Sequence, residues 1–98
     1  MEYQLVVQFK IAGDESRALD ELIAIEDAIS SIQDGFEVDG YDIGSGEMNI
    51  FLFTSNPEAA LAKIRPLLRA SRPWSAAYRD VNEDEYVVLE GPDHFSVT

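Results

Sequence analysis

Apolar and polar residues alternate from the start of the chain. Over residues 3–11, YQLVVQFKI, the side chains of Tyr3, Leu5, Val7, Phe9 and Ile11 fall on one side of an extended backbone and Gln4, Val6, Gln8 and Lys10 on the other. This predicts a strand, broken by Gly13. The period then changes. Ala18, Leu22, Ile25, Ile29 and Ile32 recur at alternating intervals of four and three, one stripe of a helix over 15–33 that Leu19 and Ile23 widen. Glu15, Asp20, Glu21, Glu26 and Asp27 form its polar side, Asp14 or Ser16 supplies its N-cap, and Gly35 suits its end. The heptad spacing is too short for a coiled coil.

Residues 36–54 read as a hairpin in which FEVDGYDI runs to Gly44-Ser45-Gly46 and EMNIFLFT returns. The returning strand is apolar on both sides, with Met48, Ile50 and Leu52 on one and Phe51 and Phe53 on the other, which places it inside a sheet covered on both faces. A second helix spans 57–71, capped by Asn56 with Pro57 at its first position and carrying a buried stripe of Leu61, Ile64, Leu67 and Leu68. Pro66 falls within that pattern and predicts a kink or an early end. A strand over 74–81, WSAAYRDV, an acidic turn over 82–85 and a short strand over 86–90 complete the order. Gly91-Pro92 then ends regular structure, and the last residues are expected to fray.

The order βαββαβ predicts an α+β, ferredoxin-like sandwich: an antiparallel sheet with two helices on one face and an extra C-terminal strand. It reads as one domain over 1–98, with an ordered core over about 2–90 and a tail over 91–98. No linker, repeat or low-complexity segment divides the 98 residues.

Composition narrows the chemistry. Nineteen acidic residues face seven basic ones, for a net charge of −12, which argues against a nucleic-acid phosphate backbone as partner. The absence of cysteine removes disulfides, thiolate metal sites and a cysteine nucleophile, and it suits a reducing compartment. The N-terminal residues lack the basic and continuous apolar regions of a signal peptide, and no apolar run approaches the about 18 residues of a membrane span. The expected setting is cytoplasmic, with no membrane partner. The segment EVDGYDIGSGEMNIFLFT over residues 37–54, with AYR near residue 78 and YVVLEG after it, resembles a family of small uncharacterised bacterial proteins. The resemblance spans most of the chain and implies the ferredoxin-like fold and a bacterial cytosol, without an activity.

Each candidate for chemistry has a plainer reading beside it. Glu37, Asp39, Asp42 and Glu47 surround the hairpin turn, but Asp39 and Asp42 are three apart and point to opposite faces of a regular strand. A solvated edge that resists pairing fits them better than a calcium site. His94 is the only histidine and lies in the tail beside Asp93, without the orienting partner a general base needs. Ser45 stands between glycines, but the chain enters a strand there and not the helix that a nucleophile elbow requires. No catalytic residue, metal site or cofactor is expected. Arg65, Arg69 and Arg72 share a helical face and are expected to pair with Asp20, Glu21 and Asp27 across the two helices, the alternative being an anionic ligand or an acidic protein.

The helix-free face of the sheet remains. If Leu5, Val7, Phe9, Ile50 and Leu52 face the helices, then Gln4, Val6, Gln8, Asn49, Phe51 and Phe53 face away, joined by Tyr41 or its neighbours. Gln8, Asn49, Phe51 and Phe53 make an apolar surface with amide anchors, expected to be covered by the C-terminal segment, a second subunit or a ligand. The expected role is a small acidic, non-catalytic protein-interaction domain that binds a protein partner or a second copy as a homodimer, an immunity protein being one such case. A small-molecule binder or cofactor-free enzyme using the helix-free face is the alternative.

Overall fold

A computed structural model of the protein describes residues 2–11, 15–44, 46–68 and 73–91 together with Phe95 and Val97. The elements are β1 (Tyr3–Lys10), α1 (Glu15–Ser31), β2 (Phe36–Gly44), β3 (Glu47–Thr54), α2 (Pro57–Leu68), β4 (Trp74–Asp80) and β5 (Val87–Glu90). They form an α+β fold. Its sheet is open, with every neighbouring pair antiparallel and the strands in the order β2-β3-β1-β4-β5. The fifth strand, added beyond β4, takes the sheet past a simple four-stranded plan. No helix among the described residues is long and apolar enough to cross a membrane.

The alternation read from the sequence decides which side of the sheet meets the helices. Leu5 lies opposite Leu52 and Tyr78, Val7 opposite Ile50 and Ala76, and Phe9 opposite Met48 and Trp74. These positions form one apolar core with Ala18, Leu22 and Ile29 of α1 and Ala60, Leu61, Ile64 and Leu68 of α2, so both helices cover the same face. Removing this apolar surface from water supplies the main driving force for the fold.

Local chemistry sets the element ends. The Asn56 side-chain carbonyl accepts a hydrogen bond from the Ala59 amide at 3.1 Å, and Pro57 follows as the first helical residue. The buried Thr54 hydroxyl donates to the Gly35 carbonyl at 2.9 Å and accepts from the Asn56 amide at 3.1 Å, tying the end of β3 to the start of β2. Gly35 has φ +80, as the chain turning out of α1 requires. The α2 helix continues through Pro66 to Leu68 without a break.

Several expectations are corrected here. Ser16 lies within α1 and is not its N-cap, while Asp14 and Gly13 fall outside the described residues. Ile23 and Ile32 are exposed: Ile23 lies off the buried stripe, and α1 stops at Ser31, so Ile32 leaves the helical register. Arg65 does not pair with α1. Its guanidinium bonds Glu90 of β5 at 2.5 Å and lies 5.4 Å from the centroid of the Trp74 ring, because α2 also borders β4 and β5. Lys63 instead reaches the loop after α1, donating to the Asp34 carbonyl at 2.6 Å. Arg69 and Arg72 lie outside the described residues.

Candidate interaction surface

The helix-free face is assembled from alternate positions of the same strands. Across β3, β1 and β4, Phe53, Gln4 and Arg79 form one row, Phe51, Val6 and Ala77 the next, and Asn49, Gln8 and Ser75 a third. Glu47 and Lys10 make a fourth row, joined by an ion pair at 2.9 Å. The structure therefore brings together all four residues singled out from the sequence: Gln8, Asn49, Phe51 and Phe53.

Their environments differ. Gln8 and Asn49 are 5% and 2% exposed, and Val6 and Ala77 are 0% exposed, although no helix covers them. Burial of an amide without a partner costs on the order of 1–3 kcal/mol, so both amides need partners within the face. The Gln8 side-chain amide donates to Asn49 Oδ1 at 3.1 Å and to Glu47 Oε1 at 3.4 Å. Among the described residues no buried side-chain nitrogen or oxygen lacks a hydrogen-bond partner. Phe51 and Phe53 are half-buried and follow Asn49 along β3 on the same face.

At the far end of the face, Arg79 does structural work that the sequence reading missed. Its Nε donates to Gln4 Oε1 at 3.0 Å, and its Nη1 donates to the Glu83 carbonyl at 2.9 Å. A planar guanidinium serves this role because it directs several N–H groups at once. It holds the β4–β5 loop against the sheet. The one signal in the sequence was its place opposite Gln4 on the alternation.

The hairpin residues are distributed differently from the expectation. The β2–β3 register slips between Val38 and Gly40, leaving Asp39 as the extra residue of a bulge. A slip of one residue exchanges the faces of everything beyond it. Tyr41 therefore lies opposite Ile50 on the helix side and does not join the helix-free face, whereas Asp42 lies opposite Asn49 and does join it. Gly40 stands at the bulge with φ +146. Of the two turn glycines only Gly46 needs the left-handed region, at φ +75, while Ser45 lies outside the described residues. The chain passes from this turn directly into β3. β2 is an edge strand, and its acidic residues Glu37, Asp39 and Asp42 are exposed, as suits an edge that resists pairing.

Among the described residues no three carboxylate or imidazole side chains converge as a metal site would require. His94 falls outside the described residues. On α1, partial burial, and then the neighbouring Asp27 charge, raise the pKa of Glu26.

No protein-family model, curated protein or solved structure matches the chain. The functional reading therefore starts from its geometry.

Proposed function

We propose that this chain is a small acidic, non-catalytic protein-interaction domain on a ferredoxin-like core. The order β2-β3-β1-β4, with both helices packed on one face, supports the core assignment, and β5 extends it along the β4 edge. A bacterial cytosolic setting is part of the same proposal.

One observation carries the interaction reading. On β2 and on α1, exposed apolar side chains stand beside carboxylates in the sequence. Tyr41 is 42% exposed between Asp39 and Asp42, and Ile23 is 38% exposed on α1 with Asp20 and Asp27 one turn to either side. Exposed apolar side chains among charged ones are a feature of surfaces that meet a protein partner. With a net charge of −12, the complementary partner is basic, and the long-range field speeds encounter while making it salt-sensitive. An immunity protein that neutralises a basic toxin is one role this surface suits.

The full chain, immobilised, should retain a basic protein from its native cell at low salt and release it at high salt. The double variant Tyr41→Ser, Asp42→Lys should weaken that retention by about tenfold or more, since central aromatic residues carry much of an interface's energy. A retained protein indifferent both to salt and to this variant would contradict the proposal. The half-buried Phe51 and Phe53 beside Gln8 and Asn49 favour a second reading, a small-molecule binder or cofactor-free enzyme on the helix-free face.

A further inference from the structure

We infer that Asp39 is a modification site: the Asp39-Gly40 step of β2 isomerises spontaneously to isoaspartate, while the Asp34-Gly35 step of the same chain is held against it. Glycine after aspartate opens this route, because no Cβ shields its amide nitrogen from the preceding carboxyl. The chain has two such steps, five residues apart, and the structure treats them differently.

Asp34 is held at two points. Lys63 Nζ donates to its backbone carbonyl at 2.6 Å and lies 3.3 Å from its carboxylate Oδ2. Gly35 is fixed in turn: its carbonyl accepts from the Thr54 hydroxyl, and a Cβ there would stand 3.4 Å from Lys63 Nζ. The rotation that brings the Asp34 carboxyl carbon onto the Gly35 nitrogen has to break these contacts. Asp39 has none of them. Among the described residues its exposed carboxylate makes no hydrogen bond or ion pair. It is the extra residue of the β2 bulge, which the ladder leaves unpaired. Gly40 follows at φ +146, with open space where a Cβ would stand. β2 is an edge strand, so freeing this stretch opens one ladder and not two.

The chemistry needs no partner but water. The Gly40 nitrogen attacks Asp39 Cγ, a C–N bond forms, the Cγ–OH bond breaks, and the hydroxyl leaves as water with the amide proton. The succinimide ring then takes water back. Addition at Cγ restores aspartate. Addition at the Asp39 backbone carbonyl leaves the chain running through Cγ, one methylene longer, with the former backbone carbonyl carbon as the free carboxylate. Nothing is oxidised or reduced. The product alters the strand that carries Tyr41 and Asp42; an effect on partner binding rests on the interaction reading, whereas the modification itself does not.

The test incubates the full chain, folded, in warm and mildly acidic buffer, because the carboxyl reacts in its protonated form. Isoaspartate is then located by enzymatic methylation and peptide mapping. It should accumulate at residue 39 several-fold faster than at residue 34. Asp39→Glu, whose longer side chain does not close this ring readily, should abolish the signal at 39 and leave 34 unchanged. Lys63→Met should raise the rate at 34 toward that at 39. In concentrated urea, where the fold no longer distinguishes the two steps, the rates should converge without any variant. No conversion at 39, equal rates in the folded chain, or faster conversion at 34 would overturn the inference. So would a ratio that is the same folded and in urea, or one that Lys63→Met leaves unmoved, because local sequence and not the structure would then set it.

Discussion

On the helix side of β1, Leu5, Val7 and Phe9 meet the apolar residues of β3, β4 and both helices. One residue along, on the opposite side, Val6 and Gln8 meet Ala77, Phe51, Asn49 and Ser75. Both sets are buried, but by different physics. The first face is closed by aliphatic side chains from two helices, where close packing and apolar area decide stability. The second carries small side chains, a buried hydrogen bond from Gln8 to Asn49 and two half-buried phenylalanines. The difference explains why β3 is apolar on both sides and yet its two sides are not equivalent. It also separates a region whose loss should unfold the molecule from one whose loss should change what the molecule exposes.

The largest effect expected from breaking this comparison is on the helix side. Leu52→Ala should cost about 2–5 kcal/mol, because it empties a fully buried site between β3 and the helices. Its neighbour Phe51, half-buried on the other face, should cost about 2 kcal/mol on truncation to alanine. Urea unfolding of the two variants measures both, and equal losses would remove the distinction between the faces.

Next comes the amide pair. Asn49→Ala removes the acceptor at 3.1 Å from Gln8 and should cost about 1–3 kcal/mol, the usual penalty for stranding a buried polar group. The double change Gln8→Leu, Asn49→Leu should recover most of that loss, since no buried amide is then left without its partner. A double variant that is less stable than Asn49→Ala would show that the amides contribute more than mutual satisfaction.

The turn between β2 and β3 sharpens the account further. Gly46→Val should cost about 1–3 kcal/mol, because a β-branched residue resists the left-handed region that Gly46 occupies at φ +75. Gly44→Val should cost much less, because its φ is ordinary and open space surrounds the position. Equal melting temperatures for the two variants would contradict the turn geometry.

The smallest effect concerns Glu26, whose pKa is raised by partial burial and then by Asp27. Folding disfavours its charged form, so the penalty is absent well below the carboxyl's unfolded pKa and is fully present above the raised folded pKa. Glu26→Gln should therefore stabilise the chain slightly at neutral pH, and the gain should disappear as pH falls through the carboxylate range. Thermal unfolding across that range checks the sign.

Much of the architecture was legible because periodicity reports burial directly. Leu5, Val7 and Phe9 of β1 and the stripe Leu61, Ile64 and Leu68 of α2 were readable as core. The placement of Gln8, Asn49, Phe51 and Phe53 on one face followed from the same alternation. Of Tyr41 and its neighbours, Gly40 and Asp42 reach the helix-free face and Tyr41 does not, because a bulge adds one residue to one strand without altering composition, and Gly40 alone does not announce it. Arg65 was assigned to α1 because helical spacing shows which residues share a face but not which element lies opposite. Glu90 and Trp74, which hold it, come from strands far along the chain. The role of Gly91 was hidden because it depends on a close approach to Ser75 that has no counterpart in local sequence.

The described end of the chain is tied back to the sheet at a single point, where the Phe95 ring packs on Tyr86 with centroids 5.1 Å apart. A double-mutant cycle on Tyr86→Ala and Phe95→Ala, read by urea unfolding, tests it most directly. The account predicts a coupling of about 0.5–1.5 kcal/mol between the two rings, the energy expected of an aromatic pair beyond its area. Strictly additive losses, with no coupling between Tyr86 and Phe95, would contradict it.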